Sequence, residues 1–146
     1  MKYLVKKWTP DLPLLLNGKY HNSTLYIMAN ACLYAEEYIK AEDYANQYYQ
    51  AVDNKDLGLI LLGKVAKNQG RKTKAISYLN EALKVNSKST DALWALANIY
   101  WPANDIPPYN KTGNSNYNKA VQLRKKAATY GDTRSINWCK KNNIDW

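Results

Sequence analysis

Residues 59–68 read LILLGKVAKN, and residues 25–34 and 93–102 read LYIMANACLY and LWALANIYWP. Set one above another, they align Leu25 with Leu59 and Leu93, Met28 with Leu62 and Leu96, and Ala29 with Gly63 and Ala97, each step being 34 residues. The segments that follow keep the step, with Ala41 over Ala75 and Tyr44 over Tyr78. Apolar residues three and four apart mark one face of a helix. A constant period near this length marks stacked helical pairs. Small residues at a crossing point let two helices approach to the short end of about 8–10 Å. Large ones a turn away fill the grooves, and stacking buries the faces that one pair leaves open.

The same logic reads residues 117–132, YNKAVQLRKKAATYGD. Ala120, Ala127 and Ala128 lie at helical spacing as packing contacts, Gly131 stops the helix and Asp132 caps the next one. From Ala75 to Ala120 the step grows to 45. The extra residues fall in PANDIPPYNKTGNSN, 102–116, whose Pro, Gly and Asn content marks a loop. Seven helices follow, at about 22–37, 41–53, 56–69, 72–85, 90–101, 115–129 and 132–142. The last is a half unit that caps the stack, with Ile136, Trp138 and Cys139 facing inward.

Two family resemblances rest on these residues. LLGKVAKNQGRKTKAISYLNEAL resembles a tetratricopeptide unit, with Leu62, Gly63, Gly70, Ala75, Leu79 and Ala82 at signature places. LANIYW followed by NYNKAVQLRKKAATYGD resembles the Sel-one-like repeat, through Lys126, Ala127, Ala128, Gly131 and Asp132 and the longer loop within the unit. Ser87 stands where the tetratricopeptide unit usually has proline, and the first unit matches mostly by period. The implied fold is all-α, a right-handed α-α superhelix of about three helical hairpins plus a C-terminal capping helix. It forms one repeat domain over 22–146. Residues 1–21 are expected to form an N-terminal capping segment, laying Leu4, Trp8 and neighbouring leucines over the first pair.

A chain of 146 residues buries roughly two-thirds of its unfolded surface and needs no metal or disulfide to hold a core. It has 13 Tyr and 5 Trp but no Phe, a balance that suits half-exposed surfaces and is equally the mark of an AT-rich genome. The net charge of +9 comes entirely from beyond residue 60, through residues such as Lys64, Lys67, Arg71, Lys74, Arg124 and Arg134. Such asymmetry points to an acidic partner or to a solvated face. Cys32 and Cys139 fit no metal-ligand spacing and read as reduced core residues. No apolar run approaches the ~18 residues of a membrane span, and the start is broken by Pro10 and Pro13 without a cleavage site. The expectation is a cytoplasmic protein, in which the triplets at Asn22 and Asn110 are not glycosylation sites.

Catalytic chemistry finds no footing. Gly58 to Lys64 spaces like a phosphate-binding loop, but Val65 stands where the magnesium-binding hydroxyl belongs, and the intervening residues continue an apolar helix face. The single histidine, His21, has no orienting partner, and Cys32 lies on the packing side of its helix. The carboxylate pairs Glu36–Glu37 and Glu42–Asp43 read as solvated. No catalytic residue, metal site or cofactor is expected.

Binding is the alternative the ladders suggest. One position after the small-residue column stand Asn30, Lys64 and Asn98; Tyr26, Ile60 and Trp94 lie before it, and Leu33, Lys67 and Trp101 after it. The spacing places them on one side. The tetratricopeptide resemblance implies that these offsets line a concave peptide groove, where Asn clamps backbone and Lys takes a carboxylate. An amide both donates and accepts, which suits an extended backbone. Tyr26, Trp94 and Trp101, with partly exposed rings, would offer rigid apolar contact. In the competing reading the aromatics fill core and the polar residues face water. The partner expected is a protein or peptide of acidic character, bound by an adaptor, a scaffold or an immunity-type protein that neutralises a toxin. The alternative is a nucleic acid held by the basic half, with Trp and Tyr available for stacking.

Overall fold

The computed structural model describes residues 21–104 and 113–146. Except for His21, the expected N-terminal capping segment lies outside the described residues, as does most of the loop at 102–116. The described residues form seven helices and no strand. They are α1 (Asn22–Tyr34), α2 (Tyr38–Ala51), α3 (Lys55–Asn68), α4 (Lys72–Val85), α5 (Thr90–Tyr100), α6 (Ser115–Thr129) and α7 (Thr133–Lys141). The all-α expectation therefore holds. Consecutive helices pack as hairpins, α1 on α2 and α2 on α3, α5 on α6 and α6 on α7. The chain divides into two compact units, one ending at Tyr78 and one running from Leu79 to Trp146.

Every column of the repeat is found where close packing requires it. Leu25, Leu59 and Leu93 are buried, as are Met28, Leu62 and Leu96, and Ala29, Gly63 and Ala97. Ala41, Ala75 and Ala120 are fully enclosed. Tyr44 and Tyr78 both pack against the first unit's core of Leu25, Ala29, Cys32, Ala41, Ala45, Leu61 and Val65. Both cysteines are free and buried, and desolvation raises their thiols above the usual range.

Helix ends follow one recurrent device. After α3, α6 and α7 the chain turns through a left-handed residue, Gly70 at φ 76°, Gly131 at φ 88° and Asn143 at φ 55°. In each case the next amide reaches back five residues, as Arg71 does to the Ala66 carbonyl at 2.9 Å and Asp132 to Ala127 at 3.1 Å. α1 ends the same way at Glu36, φ 60°, with Glu37 donating to Cys32 at 2.9 Å. For that reason α1 stops at Tyr34, three residues short of the sequence expectation. Helix starts are less uniform. Ser89, Asn114 and Asp132 cap α5, α6 and α7 through their side chains, whereas His21, Glu37 and Asn54 make no such bond at α1, α2 and α3.

Candidate protein-binding surface

In the first unit, α1 and α3 carry four of the expected binding residues and touch each other. Tyr26 is 43% exposed and tilts its ring against Tyr48 at 5.5 Å. Asn30, one turn on, is half-buried and donates Nδ2 to the Tyr26 carbonyl at 2.8 Å. Lys64 occupies the equivalent position on α3, and Lys67 lies nearly a turn beyond it. Both are exposed, and neither pairs with a carboxylate among the described residues. Their neighbours differ. Arg71 and Lys74 reach Glu42 at 3.6 and 3.4 Å. The same carboxylate accepts from Gln69 at 2.8 Å, and that bond, ahead of the cations, holds its pKa below the ordinary glutamate value. Tyr26 and the two lysines thus offer an apolar ring and two uncommitted ammonium groups to solvent.

The remaining expected residues, Trp94, Asn98 and Trp101, belong to the second unit and mostly serve its interior. Trp101 was expected to expose part of its ring; it is buried, edge-on to Tyr117 at 5.3 Å, in the cluster with Trp138 and Cys139. The Asn98 oxygen accepts from Arg124 at 2.8 Å. Trp94 is half-buried, with the Arg124 guanidinium 5.3 Å and the Arg134 guanidinium 5.4 Å from its ring centre. Arg134 is itself committed, to Asp91 at 2.7 Å and Asp132 at 2.8 Å.

Arg124 is the residue sequence reasoning misplaced. It counted among the cations expected to meet an acidic partner or to form a solvated face, yet it is fully enclosed. Its guanidinium lies 4.3 Å from the Trp138 ring centre and donates to the Trp101 carbonyl as well as to Asn98. Nε and Nη1 have no hydrogen-bond partner among the described residues. Desolvation pushes its pKa down to about 10, which still leaves it charged at neutral pH. The signal was present in the spacing. Arg124 stands four residues after Ala120 and three or four before Ala127 and Ala128, on the face those alanines pack.

Nothing in these surroundings resembles a reaction centre. The span from Gly58 to Val65 is interior α3 rather than a phosphate-binding loop. Among the described residues no group of His, Cys, Asp or Glu is arranged to hold a metal ion. No described helix is long and apolar enough to cross a membrane.

A family model described as plant-specific mitochondrial import receptor subunit TOM20 matches residues 57–140, from the start of α3 into α7. No curated protein matches the chain. The family match accords with a non-enzymatic, protein-binding helical module, and it is to neither the tetratricopeptide nor the Sel-one-like family by name. It overturns the expectation of a cytoplasmic protein, because the matching family is a mitochondrial import receptor. The sequence carried no sign of this, since the motifs that set helix packing are indifferent to compartment.

Proposed function

The chain belongs to the family of plant-specific mitochondrial import receptor subunit TOM20, and we propose that it is a receptor module that holds an acidic segment of a protein partner across α1 and α3. The observation that carries this is the pair Lys64 and Lys67, exposed and without a carboxylate partner among the described residues, on a helix that touches the one carrying exposed Tyr26, while Arg71 and Lys74 are tied to Glu42. In this reading residues 22–146 are the repeat body and 1–21 its cap. Asn30 contributes its side-chain oxygen, Tyr26 its ring and the lysines their charge. Trp94 and Asn98 lie in the second unit, where both meet Arg124, and Trp101 is core there. An adaptor or scaffold role is the same act of holding a segment; no observation favours an immunity-type role.

The nucleic-acid alternative loses four of the fifteen Lys and Arg residues beyond residue 60 to these contacts. Arg124 is enclosed, and Arg71, Lys74 and Arg134 are ion-paired. Counterion release scales with the number of free cations that reach phosphate, so only weak, salt-labile binding is expected.

Site-specific photo-crosslinking tests the proposal. A photoreactive residue at Tyr26 should trap imported precursor proteins synthesised in vitro, and one at exposed Lys84 should not. Lys64→Glu with Lys67→Glu should abolish the adduct. Equal trapping from Lys84, or adducts indifferent to the double change, would reject the surface.

A further inference from the structure

The second unit carries a groove that the surface on α1 and α3 does not include. It has a volume of about 600 Å³ and lies between α5 and α6, with Asn80 of α4 on its rim. Its floor is apolar, made by Leu96, Tyr100 and Leu123. Three amides, Asn80, Asn118 and Gln122, line it, and no described residue bonds to their side chains.

Lys119 supplies the groove's charge. Its Nζ lies 5.2 Å from the Tyr100 ring centre. Other described cations that face a ring also have an oxygen. Lys55 donates to the Tyr49 carbonyl at 2.6 Å, Lys74 reaches Glu42 at 3.4 Å, and Arg124 and Arg134 have amide, carbonyl or carboxylate acceptors. Lys119 has the ring and no oxygen among the described residues. An ammonium held over an aromatic face with free donors is placed for an incoming carboxylate.

The amides add a repeat distance. Asn118 and Gln122 are four residues apart on α6, hence about 6 Å along its axis. An extended chain presents a backbone amide to the same side about every 6.5–7 Å. Each side-chain amide both donates and accepts, as a peptide unit requires. A helical segment has its backbone groups paired internally and offers nothing to these amides.

We propose that this groove docks an extended segment of a partner protein. An apolar side chain of the segment sits on Leu96, Tyr100 and Leu123, its backbone pairs with Asn118 and Gln122, and an acidic side chain reaches Lys119. The inference rests on reading the chain as a protein-binding module, and it assigns a second docking site, separate from the α1 and α3 surface.

Two blocked heptapeptides serve as probes, one alternating Leu with Asp and one alternating Leu with Lys. They are titrated into the ¹⁵N-labelled full chain and followed through the side-chain amide signals. The Leu/Asp peptide should shift the signals of Asn80, Asn118 and Gln122 and the Leu/Lys peptide should not. Lys119→Glu should weaken binding about tenfold or more, Gln122→Ala severalfold, and Lys64→Glu with Lys67→Glu should leave it unchanged. These side chains are exposed, and an unchanged helical circular dichroism signal confirms that the variants fold. Absence of shifts at the three amides, or equal binding of the Leu/Lys peptide, overturns the inference. So does weakening by the Lys64 and Lys67 changes without weakening by Lys119→Glu, an outcome that leaves the first-unit surface standing.

Discussion

The two units fill the same helical frame in opposite ways. The first has a core of Leu, Val, Ala and Cys with a single buried aromatic, Tyr48, and none of α1, α2 and α3 is capped by a side chain. The second packs Trp101, Tyr117 and Trp138 around an enclosed arginine, and α5, α6 and α7 each start on a side-chain cap. The first unit relies on burial, at about 25 cal/mol per Å² of apolar surface. The second holds an ion out of water, offsetting its desolvation with two indole faces and two oxygen acceptors. A repeat fixes where side chains meet without fixing the chemistry that meets there.

Arg124 is where that contrast breaks most visibly. Arg124→Ala removes a large enclosed side chain between Trp94 and Trp138 and should cost about 3–5 kcal/mol in urea unfolding. Arg124→Met keeps most of the volume and drops the charge, and should stay within about 1 kcal/mol of the parent, because replacing a buried ion by a well-packed apolar group is often neutral. A methionine variant as unstable as the alanine one would mean that the charge itself holds the second unit together. The contrast between the units would then be one of energetics as well as composition.

The close approach in the first unit is the next largest test. A Cβ on Gly58 would lie 2.7 Å from Cδ2 and 2.8 Å from the Cα of Tyr49. A backbone atom cannot swing aside, so Gly58→Ala should push α2 from α3 and cost about 1–3 kcal/mol. Thermal melting measures it. An unaffected melt would show that α2 and α3 tolerate separation, and that the first unit is looser than its core implies.

Much of this was legible in the sequence. The 34-residue columns placed Leu25, Leu59, Leu93 and the small residues after them in the core, because packing period and sequence period are the same physical fact. The Gly131 stop and the Asp132 cap were legible because each needs a particular residue at a particular backbone angle. Gly58 was weighed only as the start of a phosphate-binding loop and not as a packing contact, because its tight neighbour Tyr49 lies on another helix and no one-dimensional pattern pairs them. Trp101 and Arg124 were misplaced for a related reason. Their environment is set by α6 and α7, beyond the longer step where the 34-residue register no longer applies. The ladder from Asn30 and Lys64 to Asn98 falls in two units, and its first two members lie on helices that touch.

The two ladder asparagines sharpen the comparison further. Asn98 accepts from an enclosed cation, so Asn98→Ala strips Arg124 of an acceptor and should cost about 1–2 kcal/mol. Asn30 bonds within its own helix at a half-buried position, and Asn30→Ala should stay within about 0.5 kcal/mol. Equal losses would erase the distinction between a surface amide and a structural one.

Capping separates the units by a similar margin. Asp132 accepts from the Ser135 amide at 2.9 Å and its hydroxyl at 2.6 Å, and from Arg134 at 2.8 Å. Burial on its own would raise this carboxyl, but the Ser135 and Arg134 bonds outweigh it, and the pKa lies below the ordinary aspartate value. A carboxyl depressed on folding stabilises fully above its unfolded pKa of about 4 and loses that contribution as pH falls through the folded value. Asp132→Ala should therefore cost about 1–2 kcal/mol at pH 7 and flatten the acid arm below about pH 4. Asn54→Ala, at an α3 start with no cap bond, should cost under about 0.5 kcal/mol.

The last comparison includes the one change that should stabilise. Glu36 takes the left-handed turn after α1 at φ 60°, where the second unit uses Gly131 at φ 88° after α6. Both turns are closed by the same reach-back bond, so they differ in what the backbone angle costs a residue with a Cβ, about 1–2 kcal/mol outside glycine, and in the interaction that Glu36 itself makes. Glu36→Gly relieves that strain. It also frees the unfolded chain, which takes back part of the gain. The net should be about 0.5–1 kcal/mol of added stability, seen as a rise of a few degrees in the melting temperature. The reciprocal change isolates the cause. A Cβ on Gly131 would meet nothing within 4 Å, so Gly131→Glu crowds no neighbour and should lose about 1–2 kcal/mol through backbone angle alone. If Gly131→Glu destabilises while Glu36→Gly does nothing, contacts made by the Glu36 side chain offset its strain, and the first unit closes its hairpin by packing where the second closes it by backbone geometry.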